Sequence, residues 1–347
     1  MSFSEEELKA IARILEQRTK EEYERKLRWG ELGPPINFVW QGTRLVAAYN
    51  ELLSIHPNAT YHDFLREFVQ RVFGSDWWRD ELKKAENERH LIVRWHDETQ
   101  RMMIENSTGV KDVHEMAMPA ATGKLLNLSF ALHQIRHQGL LLPSLVKRLK
   151  DVRQFQGAFY EAVVSAAFSR AGFQVALEPE GKDDMKRCEF VATHTKTGKA
   201  YSVEAKSRHL PGVLGHPPSD AEGKREPFVE RLILKALDKH ADHDRVICID
   251  VNHAQAEGKV IPEWAEVLKD QVEGLESGGH GPAMLIFTNS PFHYQPPLEP
   301  AYGQNSLVTG LNEDRFQNRD LHALDAALPG LIGVAESFNL AIPGRWD

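Results

Sequence analysis

The chain has 347 residues, of which 41% are hydrophobic and 27% are charged, and its formal net charge is −8. No apolar run approaches the roughly 20 residues that cross a bilayer, and two cysteines are too few for a disulfide framework or a thiolate zinc site. The acidic balance argues against a general polyanion binder, because phosphate binding requires local positive potential. The first residues carry acids where a signal peptide needs a basic segment, so we expect a cytoplasmic protein with no membrane partner.

Residues 1–143 are predicted to form a mainly helical N-terminal region. Apolar residues recur at helical intervals over residues 4–29 and 119–139, and Thr60 lies where it can cap another helix. Residues 91–95 are a short apolar run that we interpret as a strand. No motif states what this region does, and we expect a protein partner or a second copy of the chain to bind there.

Residues 144–347 have the pattern of an α/β domain with an irregular C-terminal tail. Apolar periodicity predicts a helix over residues 143–171, followed by strands over residues 173–177, 187–193 and 200–207. The remaining predicted elements are a helix over residues 227–240, a strand over 245–251, a helix over 262–275 and a strand over 283–288. The expected order is therefore helix, three strands, helix and strand.

The helix segment over residues 157–168 contains a carboxylate in apolar surroundings. Only Glu161 and Ser165 interrupt its apolar circumference, and with Gly157 they share one helical face. A buried carboxylate is costly unless it is paired, hydrogen-bonded or bound to a metal. Glu161 is therefore either a site residue or a glutamate at the edge of the core that reaches water, and the pattern favours neither.

Strand alternation gathers three further charged residues. In the predicted strand over residues 187–193, Glu189 faces away from its apolar neighbours. In the predicted strand over residues 200–207, Glu204 and Lys206 share the polar face. A two-residue turn at Lys196 and Thr197 would set Glu189 opposite Glu204. A three-residue turn with a bulge at Gly198 would shift the pairing by one residue, so both registers remain open.

Two carboxylates that meet on a sheet face repel each other unless a cation or a proton lies between them. Oxygen ligands favour Mg²⁺ or Mn²⁺ over zinc. Such an ion lowers the pKa of a bound water, and a nearby lysine stabilises the charge of a phosphoryl transition state. Phosphodiester hydrolysis requires this set of groups.

These residues resemble the motifs of the PD-(D/E)XK nuclease superfamily. Val203-Glu204-Ala205-Lys206 resembles its E-x-K strand, Glu189 the acidic position of the preceding strand, and Glu161 the glutamate of its first core helix. The order of the elements over residues 145–290 is also that of the family. The resemblance implies a restriction-endonuclease-like α-β-β-β-α-β core.

The resemblance further implies a role for each residue. Glu189, Glu204 and the carbonyl of Ala205 would be metal ligands, Lys206 would be the catalytic lysine, and Glu161 would hold the metal or its waters. This chain has a glutamate at position 189, where the family usually has an aspartate. The two rival candidates for that acidic ligand are Asp183 and Asp184.

The expected function is that of an Mg²⁺- or Mn²⁺-dependent phosphodiesterase acting on nucleic acid. Most members of the family cut DNA, so the resemblance favours DNA over RNA. The alternative is a catalytically inactive module on the same fold that binds nucleic acid or protein. Outside this set, His133 and His137 have the helical spacing of two zinc ligands. No glutamate follows His133 as a metalloprotease requires, and we do not expect a metal there.

Overall fold

Two β-sheets organise the chain, one of three antiparallel strands and one of six mixed strands. The computed structural model describes residues 5–105, 119–178, 186–208, 228–253, 263–276, 278–290, 305–312, 325–339 and 341–346. The α/β class predicted from the sequence is confirmed.

The helices and strands are named here in chain order. The helices are α1 (Glu5–Trp29), α2 (Tyr61–Phe73), α3 (Ser75–Leu82), α4 (Leu91–Glu105), α5 (Ala120–His137), α6 (Pro143–Lys150), α7 (Phe155–Arg170), α8 (Glu230–Leu237), α9 (Glu263–Glu276) and α10 (Leu331–Phe338). The strands are β1 (Asn37–Trp40), β2 (Thr43–Ala48), β3 (Glu51–Ile55), β4 (Phe173–Leu177), β5 (Phe190–His194), β6 (Ala200–Ser207), β7 (Asp244–Asp250), β8 (Ala283–Asn289) and β9 (Asn305–Leu311).

The six-stranded sheet runs β4-β5-β6-β7-β8-β9, and its three middle strands, β6 to β8, are parallel while the outer pairings are antiparallel. Strand alternation gives each face its own core. Phe190 and Val203 belong to the core that contains α5 and α7, and Ile247 and Ile249 belong to the core that contains α8 and α9. The sheet therefore lies between two helical layers.

The N-terminal region differs from the sequence prediction in two places. It contains the sheet β1-β2-β3 in addition to helices, and Val46 and Leu53 from that sheet are buried in the core. The strand predicted over residues 91–95 is wrong, because these residues begin α4. Thr99 and Met102 extend the buried face of α4 at helical spacing, whereas a five-residue apolar run alone cannot distinguish a helix from a strand.

The single long helix predicted over residues 143–171 is also wrong. The structure has two helices, α6 and α7, separated at Asp151. The Asp151 carboxylate accepts hydrogen bonds from the Arg153 backbone N–H at 3.0 Å and from the Gln154 side chain at 2.7 Å. An aspartate that bonds to its own following backbone favours a turn over a continuous helix.

The C-terminal tail contains two elements that were not predicted, β9 and α10. The irregular segment expected from its prolines, residues 291–300, lies outside the described residues. One hydrophobic core joins residues on both sides of position 143, since α5 packs directly on α7. The N-terminal region therefore supports the helix that carries Glu161.

The β5–β6 hairpin has the register that brings the predicted site residues together. Phe190 pairs with Val203 and Ala192 pairs with Tyr201. The register is that of the two-residue turn, but five residues, 195–199, connect the two strands, and Gly198 among them has a φ of 71°. Glu189 lies one residue before β5, and its N–H donates to the Val203 carbonyl at 3.0 Å, so it reaches the strand that carries Glu204.

A pair of glycine substitutions tests this turn. Gly198→Ala should lower the free energy of unfolding by about 1–2 kcal/mol, because an alanine in the left-handed region is strained. Gly274→Ala, in α9, should raise it by about 0.5–1 kcal/mol, because glycine weakens a helix interior. An added Cβ meets open space at both positions, so the backbone alone accounts for the contrast. Urea denaturation followed by circular dichroism measures both, and equal shifts would contradict the assigned turn.

Candidate active site

Four charged side chains meet at the junction of β5, β6 and the end of α8. The Lys239 ammonium lies 2.8 Å from Glu204 Oε1 and 3.1 Å from Glu189 Oε1. Lys206 forms an ion pair with the same oxygen of Glu204. The structure thus brings together three of the predicted site residues and adds a fourth group, Lys239, which bridges the two carboxylates.

Glu204 is the most deeply buried of these groups, since its side chain is 0% exposed. Burial raises the pKa of Glu204, and the negative charge of Glu189 raises it further, whereas Lys206 and Lys239 oppose both effects. Burial acts in the opposite direction on Lys239, but its contacts with Glu204 and Glu189 outweigh that effect and leave its pKa raised. Glu204 and Lys239 therefore each stabilise the charged form of the other.

Sequence reasoning did not assign a role to Lys239. It follows α8 and is 33 residues from Lys206, and it is one of several basic residues on and after that helix. The available signal was its place close to the end of the helix that follows the strand of Glu204 and Lys206. Its contacts come from the packing of α8 against β6 and β7.

The predicted helix residue Glu161 has a cationic partner. Arg148, in α6, places one guanidinium nitrogen 2.8 Å from Glu161 Oε1 and 2.6 Å from Oε2. Glu161 is 13% exposed, so this ion pair offsets much of the cost of its burial. Among the described residues, no group of three or more His, Cys, Asp or Glu side chains could hold a metal ion. Glu161 therefore does not join Glu189 and Glu204 in one cluster.

A cavity of about 680 Å³ lies beside the charged centre. Glu161, Ser165, Glu189 and Lys239 line it, so the polar face of α7 opens to the same space as Glu189. Its lining contains both apolar and charged side chains. The apolar ones are Ile135, Leu140, Leu142, Leu145 and Leu177, and the cations are Arg148, Lys186, Arg187 and Lys239. A cavity of this size admits a ligand as large as a nucleotide.

The donor atoms of the centre fit a hard divalent cation. Glu204 Oε2 is buried and has no hydrogen-bond partner among the described residues. Glu189 supplies a second carboxylate, and the Ala205 carbonyl belongs to the same strand as Glu204. These are the oxygen donors that Mg²⁺ and Mn²⁺ prefer. Lys239 now stands between the two carboxylates, so a cation there would have to displace its ammonium group.

The rival ligands Asp183 and Asp184 lie outside the described residues. Both cysteines are buried thiols. Burial raises the pKa of Cys188 to about 11, and the charge of Glu204 adds to that effect. Cys188 lines the cavity as a protonated thiol and not as a ligand.

A second group of buried polar residues lies at the carboxyl ends of β6, β7 and β8. The Asn252 amide donates to Ser207 Oγ at 3.0 Å, and Thr288 Oγ1 donates to the Tyr160 hydroxyl at 2.9 Å. Asp250 lies beside them and hydrogen-bonds to Asn252 and Thr288. The sequence contains a signal for this group, because its polar residues come directly after apolar strands. The sequence analysis did not use that signal and missed the group.

Comparison with protein-family models, with curated proteins and with solved structures found no significant match to this chain. Within the described ranges, no helix combines the length and the apolar composition needed to cross a membrane.

Asp250 should give the folding stability a measurable pH dependence. Complete burial raises its pKa to about 7, and hydrogen bonding with Asn252 and Thr288 opposes that rise. Because the folded pKa exceeds the unfolded value, Asp250 contributes stability at low pH that is lost as the pH rises through the folded pKa. The slope between about pH 4 and about pH 7 approaches about 1.4 kcal/mol per pH unit. Asp250→Asn should remove it.

Urea denaturation between about pH 5 and about pH 8 measures this slope. Asp80→Asn is the matched control, because Asp80 is exposed and its hydrogen bond with Lys83 lowers its pKa. The stability that the ionised Asp80 contributes is lost only at a pH below the range of this measurement. An unchanged slope in Asp250→Asn would contradict the assignment.

Proposed function

We propose that the chain is a metal-dependent nuclease of the PD-(D/E)XK type that hydrolyses phosphodiester bonds, in DNA rather than in RNA. The convergence of Glu189 and Glu204 beside Lys206 carries this proposal. The order α7-β4-β5-β6-α8-β7, with β7 parallel to β6, supports it, because that is the order of elements in the restriction-endonuclease-like core. The choice of DNA rests on the substrates of that superfamily.

In this proposal each residue of the centre has a distinct role. Glu189, Glu204 and the Ala205 carbonyl would hold an Mg²⁺ or Mn²⁺ ion, which lowers the pKa of a bound water and neutralises charge on a phosphate. Lys206 is fixed by Glu204 and presents an ammonium group to the phosphoryl oxygens as their charge grows. Glu161, held by Arg148, faces the same cavity and can accept a proton or hydrogen-bond to water.

The cavity wall supplies the groups that would bind the nucleic acid. Arg148, Lys186 and Arg187 line it and can contact backbone phosphates. The apolar side chains of the lining would give the nucleotide base or sugar a surface that needs no hydrogen bonds. Four cations against the three carboxylates Glu161, Glu178 and Glu189 leave the lining slightly positive in an acidic chain, and a phosphate would compete with those carboxylates for the cations.

The alternative function is a catalytically inactive module on the same fold that binds nucleic acid or protein. The position of Lys239 favours it, because this ammonium group already neutralises the two carboxylates. In that case Lys239 would be a permanent replacement for the cation. The two functions differ in whether a divalent ion stabilises the wild-type chain.

Cleavage assays test the proposed chemistry directly. Plasmid, linear duplex and single-stranded DNA, with RNA beside them, are incubated with Mg²⁺ or Mn²⁺. Glu204→Gln and Lys206→Met should each reduce cleavage by about 10²–10³-fold, the usual effect of removing a group that stabilises the transition state. Glu230→Gln is the control, since Glu230 is an exposed acid on α8. Cleavage that neither substitution reduces would overturn the proposal.

Thermal or urea unfolding with Mn²⁺ separates the two functions. At about a hundred times the dissociation constant, Mn²⁺ should add about 2.7 kcal/mol to the stability of the wild-type chain. Glu204→Gln should lose this gain, and Lys239→Met should bind Mn²⁺ more tightly because the competing ammonium group is gone. Lys235→Met, on α8, is the control. Stabilisation absent from the wild-type chain would favour the inactive module.

A further inference from the structure

The strand β1 is exposed along its outer edge and on both of its faces. It pairs with β2, and no other strand that the structure describes lies beside it. Phe38 is 50%, Val39 51% and Trp40 58% exposed. Ile36, just before the strand, is 68% exposed. An apolar edge strand attracts another strand through its free backbone groups, and proteins usually protect such edges. β1 therefore has the properties of an interaction surface.

The pairing of β1 with β2 shows which backbone groups β1 leaves free. The Ala47 N–H donates to the Ile36 carbonyl at 2.9 Å. In an antiparallel pair, residues that bond to the partner strand alternate with residues whose N–H and C=O groups point away from it. Every second residue from Ile36 onwards bonds toward β2, so the backbone groups of Asn37 and Val39 point to the open edge.

This open edge is complementary to itself. When a second copy lies antiparallel with Phe38 on the two-fold axis, Asn37 of each copy faces Val39 of the other, and each such pair exchanges two backbone hydrogen bonds. On the face of the sheet turned away from the core, Phe38 then meets its own copy and Ile36 meets Trp40. Aromatic pairs and pairs of an aromatic with a β-branched residue are favourable cross-strand neighbours. The free backbone groups of Asn37 and Val39 would thus all gain a partner.

We propose that two copies of this chain pair through β1 and form one continuous six-stranded sheet about a two-fold axis at Phe38. The contact uses the same surface on both copies, so it closes as a dimer and does not propagate. Pro35 has no N–H to donate, which limits the pairing to residues 36–40.

The charges around β1 favour a second copy over a nucleic acid or a lipid surface. Residues 33–43 contain no charged side chain, so two copies meet without like-charge repulsion. Phosphates and anionic headgroups would require cations there. The next residue, Arg44, is occupied, because its guanidinium donates to the Pro57 carbonyl at 3.2 Å and lies over the Trp346 ring.

The exposed area sets the expected strength of the dimer. Phe38 and Trp40 expose about 100–150 Å² each, and with Ile36 and Val39 the apolar surface is about 400–500 Å² per copy. Two copies would bury about 800–1,000 Å² in total, near the low end of specific interfaces. We therefore expect a reversible dimer with a dissociation constant in the micromolar range.

Disulfide trapping tests the register. Phe38→Cys places two thiols directly opposite each other in a non-hydrogen-bonded pair, whose Cα atoms are about 4.5 Å apart and within disulfide range. Leu52→Cys is the matched control, because Leu52 is 58% exposed on the same face of the sheet but belongs to the opposite edge strand, β3. Both natural cysteines are buried. After mild oxidation, non-reducing electrophoresis should show at least about tenfold more cross-linked dimer for Phe38→Cys than for Leu52→Cys.

Sedimentation equilibrium over a range of protein concentrations measures the association without a cross-link. The wild type should change from monomer to dimer as its concentration rises. Phe38→Lys should weaken the dimer at least about tenfold, because two like charges would face each other across the axis. Val39→Pro should also weaken it, because it removes an edge N–H that makes no bond within the sheet. Leu52→Lys should leave it unchanged, and circular dichroism verifies that each variant is folded.

Three results would overturn the proposal. The first is a wild-type chain that stays monomeric at every concentration. The second is an equal loss of dimer in Leu52→Lys and Phe38→Lys, because that result indicates packing through the sheet face and not through the edge. The third is equal cross-linking of the two cysteine variants. None of these measurements depends on a divalent ion or on nuclease activity, so the dimer and the proposed function can fail separately.

Discussion

The burial of the Glu204 carboxylate is the constraint on which the candidate active site depends. A fully buried charge destabilises a fold unless opposite charges lie against it. β6 supplies one of them itself, because strand alternation places Lys206 on the same face. The other, Lys239, requires that α8 cross the sheet and end beside β5, so the parallel β6-α8-β7 connection and the charge balance of Glu204 depend on each other.

The sheet separates two helical layers, yet the cavity receives groups from both. Glu161 comes from α7 on one side, whereas Lys239 comes from the end of α8 on the other. They meet at the edge of the sheet where β5 begins. Some of the apolar side chains that line the cavity come from α5 and from the segment between α5 and α6, so the region that precedes residue 143 contributes to the site as well as to the core.

The sequence predicted those features that depend on local alternation and missed those that depend on distant packing. Glu204 and Lys206 follow from period-two alternation within one strand, and the face shared by Glu161 and Ser165 follows from helical spacing. The register of Glu189 was open, because it depends on a loop whose length the residues Thr195 to Gly198 do not determine. Lys239 and Arg148 were missed, since neither is near its partner in sequence. The sheet β1-β2-β3 was missed because its exposed strand β1 lacks a regular alternation of buried residues.

The balance of charge at the centre bears on how it would bind a phosphodiester. Glu189 and Glu204 carry negative charge, and Lys206 and Lys239 carry positive charge, so the folded centre is close to neutral. A neutral centre has little attraction for a phosphate beyond that of the cavity cations. A divalent ion that displaced the Lys239 ammonium from between the carboxylates would leave that ammonium close by, and the centre would become positively charged. Metal binding and nucleic-acid binding would then reinforce each other, because each supplies the charge that the other lacks.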